Sequence, residues 1–96
     1  MKKSNDQPLS EVIQQMVHVF RMKPNLYKAK IENLWGEMMG KTIAGYTKEL
    51  RITNNTLYVT IESASLRSEL HFGREKIQKM LNEELGEEYL KEVVIN

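Results

Sequence analysis

Glu49-Leu50-Arg51-Ile52-Thr53-Asn54-Asn55-Thr56-Leu57-Tyr58-Val59-Thr60-Ile61-Glu62 is the stretch that decides the fold. Leu50 and Ile52 alternate with Glu49 and Arg51, and Leu57, Val59 and Ile61 alternate with Tyr58, Thr60 and Glu62. A period of two places each apolar set on one face of a strand. Asparagine tolerates positive φ, so Asn54-Asn55 can form the tight turn that joins the two runs. The reading is an antiparallel hairpin with one face to bury and one face to offer to solvent.

Helical patterns flank the hairpin. Upstream, Leu9, Val12, Ile13, Met16, Val17 and Phe20 form an i, i+3, i+4 stripe that can begin at Pro8. Lys23-Pro24-Asn25 is expected to stop that helix, because the residue before proline is pushed out of the α region, and Asn25 can cap the next one. The second helix is expected over about 26–39. Tyr27, Ile31, Leu34, Trp35 and Met38 make its apolar side, and Gly40 is placed to end or kink it. Gly36 inside that pattern suggests close packing against a neighbour. Downstream, Ser63 or Ser65 can cap a third helix with the stripe Leu66, Leu70, Gly73, Ile77, Met80, Leu81 and Leu85, ending at Gly86. Tyr89, Val93 and Ile95 suggest a last strand. The expected order is α-α-β-β-α-β, an α+β domain with a small antiparallel sheet and helices on one face.

Ninety-six residues suit one domain, with 1–7 a polar, flexible tail and 8–96 the folded unit. The absence of cysteine excludes disulfides and thiolate metal sites and fits a reducing compartment. No apolar run is long enough to cross a membrane and no secretory h-region follows the N-terminal lysines, so the expected location is the cytoplasm. The net charge of +1 is unevenly spread. Residues 1–61 carry nine Lys/Arg against five Asp/Glu, and residues 62–96 carry five against eight. This asymmetry can orient a polyanion, but it is mild, and charge alone does not set it apart from a solvated surface of uneven composition.

Catalytic chemistry finds little support. His18 and His71 lie on separate helices without an accompanying motif, and no phosphate-cradling or dinucleotide-binding glycine pattern occurs. Neither an enzyme, nor a cofactor or metal, nor a small-molecule substrate is expected. Binding features carry more. Tyr58 on the open face of the hairpin is a candidate for stacking on a base, and Lys41, Lys48, Arg51 and Arg67 around it are candidates for following a phosphate backbone. The competing account makes Tyr58 a good strand residue and the cations a device that solvates an open sheet. Trp35 is read as a core anchor, with base stacking as the other option. Phe72 falls off its helix stripe. Exposed beside His71 and Arg74 it marks a partner contact; if the helix kinks at Gly73 it joins the core.

A family resemblance rests on a set of segments. Leu34-Trp35 and Met38-Met39-Gly40 are followed by Ile43-Ala44-Gly45-Tyr46-Thr47, then by Asn55-Thr56-Leu57-Tyr58-Val59. Ser63-Ala64-Ser65-Leu66-Arg67-Ser68-Glu69-Leu70 and Leu81-Asn82-Glu83-Glu84-Leu85-Gly86 complete it. Over about 26–96 the chain resembles the bacterial DciA family. The resemblance implies a KH-like fold and an adaptor role in DNA replication, assisting or regulating the replicative DNA helicase on single-stranded DNA. It implies as partners that helicase and single-stranded DNA or RNA, with Trp35, Gly40, Leu66, Glu69 and Leu70 as structural signature. Many relatives carry tryptophan where this chain has Leu66. An RNA-binding module outside replication, or a protein-interaction domain that binds no nucleic acid, would carry the same segments. The chain has no GxxG loop, and it stops at Asn96 without the basic extension of longer relatives, so any strand contact is expected on the basic sheet and helix surfaces.

Overall fold

The computed structural model describes residues 9–96. The expected tail at 1–7 and the helix start at Pro8 lie outside the described residues. The element order is α1 (Leu9–Tyr46), β1 (Thr47–Thr53), β2 (Thr56–Ile61), α2 (Ala64–Phe72), α3 (Arg74–Leu85) and β3 (Glu92–Ile95). The fold is α+β, with three helices and a three-stranded sheet in the order β1-β2-β3.

The hairpin forms as its alternation requires. Leu50 stands opposite Val59, Arg51 opposite Tyr58 and Ile52 opposite Leu57. Asn54 and Asn55 turn the chain at φ 52° and 63°, the two successive positive values of a type I′ turn. A bulge between Thr47 and Glu49 leaves Lys48 as an extra residue at the start of β1.

The sheet is mixed, which corrects the antiparallel expectation. β3 runs parallel to β2, pairing Leu57 with Val93 and Val59 with Ile95. The physical reason is the connection. The chain leaves β2 at Ile61, passes through α2 and α3, and re-enters the sheet from the hairpin-turn end, as a crossover with helices allows. The return is pinned at both flanks. Lys91 N–H donates to Asn55 O and Asn55 Nδ2 donates to Tyr89 O, while buried Asn82 exchanges two hydrogen bonds with the Leu90 backbone.

The helix boundaries also differ from those expected. Helical geometry runs through Pro24, and the break falls at Gly40, whose φ of 87° and ψ of 169° lie outside helical space. Proline removes one N–H and crowds the preceding turn, yet the segment is held on both sides of it. Glu87 accepts hydrogen bonds from Lys23 Nζ and from Tyr27 Oη, side chains one turn apart that flank Pro24. Tyr27 stacks edge-on against Tyr89 with ring centroids 4.6 Å apart. The third expected helix is split in two at Gly73, whose N–H closes the end of α2 on Glu69 O and Leu70 O. Ser63 caps α2 through Oγ, and Gly86 ends α3 at φ 81°.

All three helices cover one face of the sheet. Ile31 and Trp35 from α1, Leu70 from α2 and Ile77, Leu81 and Leu85 from α3 form one buried cluster. From the strands it takes Leu50, Leu57, Val59, Ile61, Val93 and Ile95. The described molecule is elongated, 65 × 20 × 19 Å, because the N-terminal part of α1 extends beyond this core.

Candidate nucleic-acid interface and partner surface

The outer face of the sheet carries the row Arg51–Tyr58–Val94, set by the register of the three strands. None of the three belongs to the buried cluster. The Arg51 guanidinium lies over the Tyr58 ring, 4.6 Å from its centroid. That placement follows from direct cross-strand pairing and from the planarity of the guanidinium, which stacks on aromatic faces. One ring face of Tyr58 is therefore occupied. The pair together offers a flat, cationic surface, with Thr56 and Thr60 half-buried beside it in β2. Glu49 and Glu92 pair with Thr60 and Thr56 in the adjoining rows, so Arg51 supplies the positive charge of this face among mixed neighbours.

The other expected cations are dispersed. Lys48 is the bulged residue. It lines a groove between α1 and β1 with Lys28, Glu32 and Gly36 rather than joining the Arg51 row. Lys41 is exposed just after the Gly40 break. Arg67 is half-buried and its Nη2 donates to Ile61 O at 2.8 Å, so the side chain caps the end of β2. Its Nε is buried without a hydrogen-bond partner among the described residues.

Trp35 is a core anchor. It is 2% exposed, and its indole N–H donates to Thr47 Oγ1 at 2.8 Å, which in turn donates to Ile43 O at 2.7 Å. This relay ties the helix before Gly40, the turns after it and the first residue of β1 into one unit. It thereby fixes where β1 begins. Leu70 is buried and Leu66 half-buried against the same cluster, while Glu69 is exposed. Gly36 is exposed, and a Cβ there would meet nothing within 4 Å, so the expected close packing at that glycine is absent.

The helix does break at Gly73, yet Phe72 does not join the core as a kink there was expected to make it do; it lies 83% exposed at the end of α2. His71 stacks edge-on with it at 6.0 Å. Arg74 Nη1 donates to His71 O at 2.7 Å and lies 3.1 Å from His71 Nε2. The three residues thus form one apolar and cationic knob on the far side of the helix junction. The C-terminal sheet edge, by contrast, holds residues that no motif announced. Asn82 and Asn55 fasten the 86–91 loop, and Glu87 is more than a solubilising charge. Hydrogen bonding from Tyr27 and then from Lys23 holds the Glu87 carboxyl below its ordinary value. The same bond, with desolvation behind it, pushes the Tyr27 phenol up to about 12. Burial likewise raises Tyr89. Long-range pairs of this kind leave no local pattern in a sequence.

Among the described residues no helix is long and apolar enough to cross a membrane, and no cluster of His, Cys, Asp and Glu has the makings of a metal site. No curated protein and no solved structure matches the chain. A family model does, over residues 8–95, reaching further toward the N-terminus than the segments that carried the resemblance and taking in the projecting half of α1. By that match across nearly its whole length the chain belongs to the DciA family (Dna[CI] antecedent, DciA), whose role is linked to the replicative helicase in DNA replication.

Proposed function

We propose that this chain is an adaptor that binds single-stranded nucleic acid on the open face of its sheet and assists the replicative helicase on single-stranded DNA. The observation that carries the reading is the Arg51–Tyr58 pair on a sheet face that none of the described helices covers. Aromatic and guanidinium planes on a sheet are the means by which many small modules hold unstacked bases, because every base presents a π-face. A base would stack on the free side of the pair, and Arg51 would also neutralise a neighbouring phosphate. Lys41 and Lys48 stand off the Arg51–Tyr58 row and would add only longer-range attraction for the strand, and Arg67 acts mainly through the sheet end that it caps. The KH-like description belongs to this proposal too, with the sheet face standing in for the GxxG loop that the chain lacks. The Phe72–His71–Arg74 knob would meet the helicase.

With so few free cations on the sheet face, strand binding is expected to be weak and modestly salt-dependent. The slope of log K against log salt should be about −0.7 per phosphate contacted, for roughly two or three phosphates. Fluorescence anisotropy with labelled oligothymidine between low and moderate salt measures it. Arg51→Glu combined with Tyr58→Ala should abolish the signal while leaving co-purification with the helicase intact, and Phe72→Asp should do the reverse. A flat salt response, or no binding at tens of micromolar protein, overturns the strand-binding half. A clear preference for RNA over the matched DNA strand assigns the face to RNA instead, since the 2′-hydroxyl is what separates them.

A further inference from the structure

The strand order β1-β2-β3 leaves β1, seven residues long, at the edge of the sheet. The hairpin decides which of its backbone groups are already used. A two-residue type I′ turn closes on a hydrogen-bonded Thr53–Thr56 pair. By alternation Arg51–Tyr58 and Glu49–Thr60 are also hydrogen-bonded pairs, whereas Ile52–Leu57 and Leu50–Val59 are not. The far side of β2 agrees, since Val59 O accepts from Asn96 N–H and Ile61 N–H donates to Asn96 O. The N–H and C=O of Leu50 and Ile52 therefore point away from β2, and among the described residues no strand lies beyond them. Glu49, Arg51 and Thr53 stand on the outer face of this edge, and Leu50 and Ile52 on the core face. Beside the core face a groove of ≈ 370 Å³ runs between β1 and α1, walled by Lys28, Glu32, Gly36, Ala44 and Lys48. Gly36 and Ala44 put little bulk into it, and a Cβ at Gly36 would meet nothing within 4 Å.

We infer that the β1 edge pairs with the β1 edge of a second copy of this chain, antiparallel, about a two-fold axis at Leu50. Backbone bonding admits only registers that set even-numbered residues opposite one another, and charge chooses among them. With the axis at Leu50, Glu49 of each copy stands opposite Arg51 of the other on the outer face, an opposite-charge pair on either side of the axis. An axis at Arg51 sets Arg51 on Arg51, and one at Glu49 sets Glu49 on Glu49. An axis at Ile52 brings Leu50 opposite Asn54, in the turn, and leaves both charges unmatched. The same charges, with the bulge at Lys48, blunt the edge against strands of other sequence. In the chosen register Leu50 exchanges its free backbone bonds with Leu50 of the second copy, the self-pairing that a two-fold interface needs. Ile52 comes opposite Lys48, where the bulge ends the ladder. The incoming Leu50 and Ile52 side chains turn toward the groove beside α1. The product is one continuous sheet with three strands from each copy. Its outer face runs from Val94, Tyr58 and Arg51 into Glu49 and Thr60 of the second copy. So short a ladder makes the dimer one of the small, reversible interfaces.

Sedimentation and amide hydrogen exchange of the full chain test this together. Between about 20 μM and about 1 mM, the range of a small interface, the native chain should pass from monomer toward dimer. Over the same range Leu50 N–H exchange should slow severalfold, while Arg51 N–H, already bonded to β2, should not change. Glu49→Arg and Arg51→Glu each set like charges opposite one another and should stay monomeric; both positions are exposed and outside the core. The double variant carrying both changes restores opposite pairs and should dimerise as the native chain does. It also keeps this inference apart from strand binding, which the double variant should lose together with Arg51. A chain that stays monomeric to about 1 mM overturns the inference, as do single variants that dimerise as well as the native chain, or a dimer whose Leu50 N–H exchanges no more slowly. So does Leu50 protection that arises only when the replicative helicase is added, which would assign the edge to that partner.

Discussion

The carboxylate of Glu87 accepts from Lys23 and from Tyr27, one turn apart on α1 and on either side of Pro24. It thereby joins the start of the packed part of α1 to the loop that leads into β3. The two shifted groups bound its working range. Glu87 is held below the ordinary carboxyl value of 4.5, so its contribution is present above that value and fades as pH falls through the depressed one. Tyr27 is raised from 10.0 to about 12, so its contribution is complete below pH 10 and fades as pH rises through about 12. The latch is intact between those limits. In an ultraviolet titration read as the difference between the native chain and Tyr27→Phe, Tyr27 should ionise at about 12, and Glu87→Gln should bring it back toward 10. Ionisation of Tyr27 at its ordinary value of 10 would mean that the hydrogen bond does not form. Arg51 and Tyr58 make the opposite kind of pair, adjacent through the hairpin register, and they could be read from the sequence because the turn fixes which residues face each other. Lys48 and Arg67 could not. A bulge moves the first out of the row, and a carbonyl six residues away engages the second.

Elements were legible where their signals were local. The alternation of 49–62 and the Asn54-Asn55 turn specify the hairpin without outside help. Pro24 misled because the contacts that hold its helix come from Glu87 and Tyr89, more than sixty residues along the chain. The direction of β3 follows from a two-helix crossover, which no single segment encodes. The Leu66–Leu70–Ile77 stripe runs unbroken across the split at Gly73 because both halves bury their apolar residues in the same cluster, so a kink there could be suspected but not fixed. Gly36 shows the converse, a local signal with no tertiary cause. It sits in helical geometry, is exposed and has open space where a Cβ would go. Gly36→Ala is therefore expected to stabilise the protein by about 1 kcal/mol, the helix-propensity difference between the two residues. Urea unfolding would show this as a higher midpoint at unchanged slope. A destabilised variant would mean that the groove beside Lys48 and Glu32 is narrower than the structure has it.

At the scale of the whole molecule, α1 serves two parts of different character. From Tyr27 onward it belongs to the core, with Ile31 fully buried and Trp35 hydrogen-bonded to the first residue of β1. Before Lys23 it is exposed along its length and contributes nothing to the buried cluster. Tolerance to truncation follows burial and hydrogen bonding rather than position in the chain. Removing residues 1–21 should leave a cooperatively unfolding domain whose midpoint moves by no more than about 2 °C. Its Tyr27 phenol should titrate as in the full chain, because Lys23, Tyr27 and Glu87 all remain. Extending the cut through Ile31 should abolish the transition. It removes a wholly buried side chain, at a cost of several kcal/mol, and with it the Tyr27 latch that holds the 86–91 loop. Calorimetry of the two truncations beside the full chain distinguishes these cases. If the shorter cut already melts the domain, the projecting helix does more for the fold than its exposure implies. If the longer cut leaves the transition in place, the sheet with α2 and α3 is stable without its longest helix.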